Sequence, residues 1–387
     1  MEKLYYEDIY YLNFEATVTE CIRAEASTDF LIVLDRTAFF PEEGGQFADT
    51  GTLNDMPVLD VQIKQDIIYH RLAESIPVGT TVKGQVDWER RFDFMQQHSG
   101  EHIVSGLLHK YYGCTNTGFH LGLSDTTMDF DKVLTLEQLR AIEQEANLVI
   151  WRNLPVYAYF PTKEELELLD YRSKIEIDGP VRIVEIPGVD VCACCAPHVE
   201  QTGEIGMIKI TGVQNHRGGV RVTLLCGQRA LNDYTARQNA VTEISILLSA
   251  KPELVASAVQ KSMEDAQTLR DTINTLSNQL LQLQVDALPP SDNCKHPLLF
   301  TQLSNPIAVR NTVNELTKRY SGYCSILAGD DEQGYRFIIG SSTLDCREIA
   351  TSLREQFDAK GGGTAPMIQG TIHAGQSELT KFFRSLP

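Results

Sequence analysis

Phe92-Asp93-Phe94-Met95-Gln96-Gln97-His98-Ser99-Gly100-Glu101-His102-Ile103-Val104-Ser105-Gly106-Leu107-Leu108 is the stretch on which the reading of this chain turns. Phe92, Met95, Ile103, Val104, Leu107, Leu108 and Tyr111 recur at helical spacing, which predicts a helix over 88–112 with Gly113 as its stop. His98 and His102, four apart, then share one helix face and can grip a single ion. Such a pair alone fits two half-exposed helical histidines equally well.

A second stretch tips the balance. Val191-Cys192-Ala193-Cys194-Cys195-Ala196-Pro197-His198 reads as a loop after a strand, and Cys194 and His198 sit at a spacing that closes a chelate. Three imidazoles and one thiolate make a suitable Zn²⁺ shell, with the soft thiolate favouring zinc over magnesium. The expected metal ligands are therefore His98, His102, Cys194 and His198, holding one zinc ion per chain. Cys192 and Cys195 compete with Cys194 for the thiolate position. His98-Ser99-Gly100-Glu101-His102 also fits the His-x-x-Glu-His signature of zinc peptidases, in which Glu101 is the general base. That motif takes its third ligand from a distant acid and gives no role to Cys194 or His198.

Upstream, residues 1–90 carry short β-branched and apolar runs such as Leu31-Ile32-Val33-Leu34, separated by turns at Gly44-Gly45, Asp49-Thr50-Gly51 and Pro77-Val78-Gly79. That spacing predicts a small barrel. Downstream of the histidine helix we expect a strand pair in 116–130 and capping boxes at Thr135/Gln138 and Thr162/Glu165. Strands follow at 181–187, 207–213 and 220–226, the last two joined by a hairpin turn at Asn215–Gly219. Past Gly227 the strand signal stops. Pro252 opens a helix in which Ala266, Leu269, Ile273, Leu276, Leu280, Leu283 and Ala287 form a heptad seam. Residues 297–387 alternate strands and helices. The expected fold class is α+β, with a β-barrel domain at 1–90 and a zinc-binding domain at 91–228. A helical, coiled-coil segment at 229–290 and a C-terminal α/β domain at 291–387 complete it.

The chain has 387 residues, 42% hydrophobic and 22% charged, which suits several globular domains. No apolar run spans a bilayer and no signal peptide opens the sequence, so the expected compartment is cytoplasmic. Nine cysteines, three of them crowded at 192–195, suggest metal or catalytic use in a reducing cytosol. The net charge of −18 argues against a general nucleic-acid binder, though not against one RNA held by a local basic patch.

Taken together the motifs resemble a family. His-x-x-x-His followed about a hundred residues later by Cys-x-x-x-His and Thr202-Gly203-Glu204-Ile205-Gly206 is similar to the editing domain of alanyl-tRNA synthetase. Leu34-Asp35-Arg36-Thr37-Ala38-Phe39-Phe40-Pro41-Glu42-Glu43-Gly44-Gly45-Gln46 resembles that family's barrel motif. Gly361-Gly362-Gly363 with Pro366-Met367 and Gln369-Gly370 resembles the DHH-associated C-terminal domain. Because the chain opens at the barrel motif, the resemblance points to the free-standing alanyl-tRNA editing proteins in their long form. The family's Cys-Gly-Gly-Thr-His is here Cys194-Cys195-Ala196-Pro197-His198, which keeps the ligand spacing and loses the threonine hydroxyl.

The resemblance implies a zinc-dependent hydrolase that deacylates mischarged tRNA(Ala), seryl and glycyl, and spares alanyl-tRNA(Ala). It makes tRNA(Ala) the partner and, through the C-terminal region, favours a homodimer. A site built to hydrogen-bond a substrate hydroxyl rejects the analogue lacking it. Gln46, after two glycines, and Thr117, on the strand after the helix, are the expected readers of that hydroxyl or holders of the ester. Of Arg90, Arg91, Lys110, Lys209, Arg217 and Arg221, which flank the site in sequence, Arg217 and Arg221 are the leading RNA contacts. A zinc peptidase and a non-enzymatic RNA-binding factor with structural zinc are the rival readings. Threonyl-tRNA editing is a further one, because that family has a similar histidine pair. Glu101→Gln separates the first rival: a peptidase loses nearly everything, an editing enzyme need not.

Overall fold

The computed structural model describes residues 1–25, 27–173, 179–303 and 305–387. It divides into two compact units, Met1–Val241 and Thr242–Pro387.

The first unit holds two separate cores. One is built from Leu4 to Val86 with Ala196, the other from Phe94 to Cys226. Around the first core runs a seven-stranded antiparallel sheet. Its spatial order is Met56–Val58, Gly51–Leu53, Thr81–Val86, Asn13–Arg23, Phe30–Leu34, Ile67–Leu72 and Asp60–Lys64. Met56–Val58 at one edge also packs near Ile67–Leu72, so the sheet curls almost to closure, as the turn spacing predicts.

The second core is organised by helix α1 (Trp88–Tyr112), capped by Asp87, which accepts from the Arg90 backbone N–H at 3.3 Å, and stopped by Gly113 in the left-handed conformation. The predicted one-sided stripe is only part of the picture: every residue from Phe94 to Leu108 is buried, as expected of a helix enclosed on all sides. Gly100 and Gly106 permit this. A Cβ on Gly100 would lie 2.2 Å from Cys226 Sγ, and one on Gly106 2.5 Å from the Val189 carbonyl oxygen. Helix α2 (Leu136–Trp151) starts at its Thr135/Gln138 capping box and packs on α1, and α3 (Lys163–Leu168) and α4 (Gly227–Leu247) follow later in the chain. A four-stranded antiparallel sheet, in the order Asn116–Leu121, Thr126–Phe130, Gly219–Cys226, Ile208–His216, lies against both helices. A three-stranded sheet (Tyr157–Tyr159, Ile183–Ile186, Asp190–Ala193) packs on α1 through its last strand. The segment expected to be a loop after a strand thus begins as strand: Val191–Ala193 pair with Ile183–Glu185 before the chain turns through Cys194.

Arg91 joins the two cores. Its Nε lies 3.0 Å from both Asp49 oxygens, its other nitrogens reach the carbonyls of Ile9 and Ala38, and both side chains of the ion pair are fully buried. This corrects its reading as an RNA contact: withdrawing it would leave a buried carboxylate unpaired.

In the second unit, helix α5 (Val255–Asp286) follows a short turn opened by Pro252. A five-stranded sheet runs Leu298–Thr301, Cys324–Asp330, Gly334–Gly340, Met367–Ile372, Lys360–Thr364. Its two faces are covered separately. Leu281 and Val285 of α5 join α6 (Pro306–Arg319) in one core, while α7 (Cys346–Phe357) and α8 (Gln376–Arg384) fill the other. The predicted seam lies on the other side of α5 from Leu281 and Val285. Leu269, Ile273, Leu276, Leu280 and Leu283 are 46–68% exposed.

Candidate metal centre and its surroundings

Helix α1 brings His98 and His102 to one side, and the turn after Asp190–Ala193 carries Cys194 and His198 onto them. The ligand atoms of these four residues all lie within 4.8 Å of one another. Cys194 Sγ is 3.5 Å from His98 Nε2 and 3.4 Å from His198 Nε2. An S–N edge of a zinc tetrahedron with ordinary bond lengths measures about 3.6 Å, so the cluster has the dimensions of a metal shell.

The far side of each ring fits the same reading. His98 Nδ1 lies 2.9 Å from Gln46 Oε1, His102 Nδ1 2.9 Å from Asp190 Oδ2, and His198 Nδ1 3.0 Å from Ser99 Oγ. With each Nδ1–H donating to its oxygen, all three Nε2 atoms would be left free to ligate one ion, the arrangement by which outer partners fix a metal-bound imidazole. The residues present therefore suit a single tetrahedral zinc ion.

The three neighbouring thiols are not equivalent. Burial alone would push the Cys194 thiol up, but the facing His98 and His198 rings hold it well below the ordinary range, as a thiolate ligand requires. Burial pushes Cys192 up, and burial together with Cys194 pushes Cys195 up. Burial, with His102 beside it, lowers His198 to about 3, so its ring is neutral. Among the described residues Cys194 is the cysteine that groups with all three histidines, and Cys192 groups instead with His102 and Asp190.

Gly44 and Gly45 hold φ at 63° and 80°, a left-handed turn that only glycine adopts freely. A Cβ on Gly44 would lie 3.0 Å from Cys195 Sγ, and one on Gly45 3.1 Å from the Phe119 ring. The turn therefore presses against the cluster and buries Gln46 over His98. Gln46 Nε2 is buried with no hydrogen-bond partner among the described residues. Glu101 is buried too; its Oε1 accepts from Ser105 Oγ at 2.7 Å and Asn116 Nδ2 at 2.6 Å, and its Oε2 lies 3.7 Å from His102 Nε2.

Thr117 is not brought to this cluster in the same way. It is exposed, and its hydroxyl donates to the Asp129 carbonyl at 3.3 Å. On the same strand Asn116 reaches Glu101, and Phe119 packs on His98 with ring centroids 4.7 Å apart. Arg217 is exposed at the tip of its hairpin, whereas Arg221 forms a bidentate pair with Asp129 at 2.6 Å. Lys209 pairs with Glu143 and Lys110 donates to the Gly188 carbonyl. Asp190, Arg172, Ser99 and Asn116 had no reading in the sequence. The one local signal was Asp190, four residues before Cys194.

Two family models match the chain. One described as the threonyl and alanyl tRNA synthetase second additional domain covers residues 181–222, and one described as class II (A) tRNA synthetases covers residues 2–90. The alanyl-tRNA editing protein Aarsd1-A of Xenopus laevis is 31% identical over 356 residues, 88% of this chain and 84% of that protein. The Rattus norvegicus alanyl-tRNA editing protein Aarsd1 is 28% identical over 94% of this chain and 92% of its own length. The alanine–tRNA ligase of Ignicoccus hospitalis is 31% identical over 93% of this chain, which spans 40% of that ligase.

Proposed function

This chain belongs to the family of alanyl-tRNA editing proteins, and on that premise we propose that it is a zinc-dependent trans-editing hydrolase. Its substrates are mischarged tRNA(Ala), carrying serine or glycine on the terminal adenosine, and it spares alanyl-tRNA(Ala). The observation that carries this reading is the shell of three imidazoles and one thiolate pressed by the Gly44–Gln46 turn. In the reaction, water adds to the ester carbonyl carbon and the acyl–oxygen bond breaks. The ribose oxygen leaves with a proton, and free amino acid and intact tRNA result.

When bound, zinc supplies positive charge that orients and polarises the aminoacyl group. Gln46 uses its Nε2 hydrogens to hold the ester or the serine hydroxyl, while its Oε1 keeps His98 in register. Glu101, fixed by Ser105 and Asn116, positions the attacking water; Glu101→Gln should cost the editing reaction about 10²-fold or less, short of the near-total loss expected of a peptidase. We place the phosphate contact on exposed Arg217, with Arg221, already paired with Asp129, holding the hairpin behind it, and keep Thr117 as a second candidate for the hydroxyl. The same reading makes the protein a homodimer through residues 229–387.

The metal assignment is tested by elemental analysis of purified protein. It should carry about one zinc per chain, and His102→Ala or Cys194→Ala should lose both the metal and deacylation of seryl-tRNA(Ala). Active protein free of zinc would defeat the assignment.

A further inference from the structure

We propose that Asp190 and Arg172 are positioning residues that make His102 the anchoring ligand of the metal centre. This rests on the zinc reading above. The three imidazoles are not held alike. His98 and His198 meet neutral partners, Gln46 Oε1 and Ser99 Oγ. His102 meets a carboxylate, Asp190 Oδ2, at 2.9 Å. A carboxylate behind a donor Nδ1–H makes the opposite nitrogen more basic and fixes the ring, which strengthens its bond to a metal.

Arg172 holds that carboxylate in place. Its Nε donates to Asp190 Oδ1 at 2.7 Å and its Nη2 to Oδ2 at 2.8 Å, a bidentate pairing that forbids rotation of the carboxylate. The side chains are 15% exposed for Arg172 and 2% for Asp190 and His102, so solvent hardly screens them. The backbone adds a second tether. Arg172 N–H donates to the Val191 carbonyl and Ala193 N–H to the Arg172 carbonyl, both at 2.9 Å, on either side of Cys192. Across from this strand Gly106 lies one turn after His102, and a Cβ there would sit 2.7 Å from Asp190 Cβ. The helix thus approaches the strand as closely as a glycine permits, which sets the length of the His102–Asp190 bond. Beyond the pair lies a cleft of about 500 Å³, with Arg172, Asp190, Gly106 and Asn116 in its wall. The guanidinium also neutralises Asp190, so the relay brings a directed hydrogen bond to His102 without adding net charge.

The test is zinc affinity of the full-length protein, measured by competition with a chromogenic chelator, together with the visible spectrum of the cobalt-substituted form. Asp190→Asn should weaken zinc binding about 10- to 100-fold and change the cobalt bands that report ligand number. Arg172→Gln should weaken it about tenfold. Asp93→Asn, which breaks a different arginine pair in the same unit, should stay within about twofold of the unaltered protein. Folded Asp190→Asn with unchanged affinity overturns the proposal. If Asp190→Asn fails to fold, Arg172→Gln is read by the same criterion. An unaltered protein that binds no zinc would remove the metal reading and this proposal with it, whereas normal binding insensitive to both variants removes this proposal alone.

Discussion

Gln46 shows how much one side chain can be asked to do. Its carbonyl oxygen fixes His98, and its amide nitrogen is buried without a partner among the described residues. A buried donor left unmade costs about 1–3 kcal/mol, a cost that a substrate acceptor would remove on binding. Gln46→Ala should therefore lower kcat for seryl-tRNA(Ala) by about 10²-fold, the range for losing one donor to a developing oxyanion, while zinc content stays near one per chain. Steady-state kinetics with metal analysis on the same preparation checks this; an unchanged kcat would release Gln46 from its role. The cations differ in what they already hold. Arg91 is spent inside the fold on Asp49, and Arg221 on Asp129, where its guanidinium holds the carboxyl below the usual range. Arg217, at a hairpin position with φ of 46°, is exposed, and the proposed function therefore gives it the phosphate.

The elements most legible in sequence were those written in local chemistry. Helix α1 matches its expected bounds because Asp87 and Gly113 cap it, and α2 and α3 (Lys163–Leu168) start at their capping boxes. The Asn215–Gly219 turn closes as a hairpin with Arg217 and Gly218 at its tip. That His98, His102, Cys194 and His198 come together was legible because both pairs sit at chelate spacing. Asp190 and Arg172 were not, since their contact with His102 joins distant segments and leaves no period in the chain. The full burial of α1 was hidden for a similar reason: small residues at 99, 100, 105 and 106 interrupt the apolar stripe while admitting neighbours from every side. The strand Ile67–Leu72 yields a prediction of its own. His70 is fully buried, with Nδ1 on the Ile32 carbonyl at 3.1 Å and Nε2 on Thr37 Oγ1 at 2.8 Å, and burial lowers it to about 4. Its folded value lies below the unfolded one near 6.5, so its contribution is complete above pH 6.5 and lost as pH falls towards 4. The loss is on the order of 3 kcal/mol. Urea denaturation of the unaltered chain and of His70→Gln at pH 7 and pH 4.5 should show a smaller acid loss in the variant. Equal losses would contradict the argument.

At the scale of the whole molecule, two features ask for partners. The chain is acidic, −18 overall, so the proposed function requires tRNA to be met by a local patch while the remaining field repels other nucleic acid. No helix among the described residues is long and apolar enough to cross a membrane. The seam of α5 leaves five large apolar side chains exposed at heptad spacing, a face that a second copy would bury. Light scattering should find a dimer for the full chain at micromolar concentration and a monomer, still zinc-bound but weaker for tRNA(Ala), for a chain cut after the first unit. The cut belongs at Val241, beyond Gln228, because Ala230 is buried and Arg229 pairs with Asp93. A monomeric full chain would remove the dimer, and undiminished tRNA affinity in the shortened one would remove the C-terminal region from RNA binding. Editing selectivity is decided by one deacylation assay with serine, glycine and alanine each esterified to tRNA(Ala). Serine should be released rapidly and glycine released as well, with alanyl-tRNA(Ala) left largely intact. Equal hydrolysis of all three would contradict the selectivity, and no hydrolysis of any by zinc-loaded protein would contradict the function.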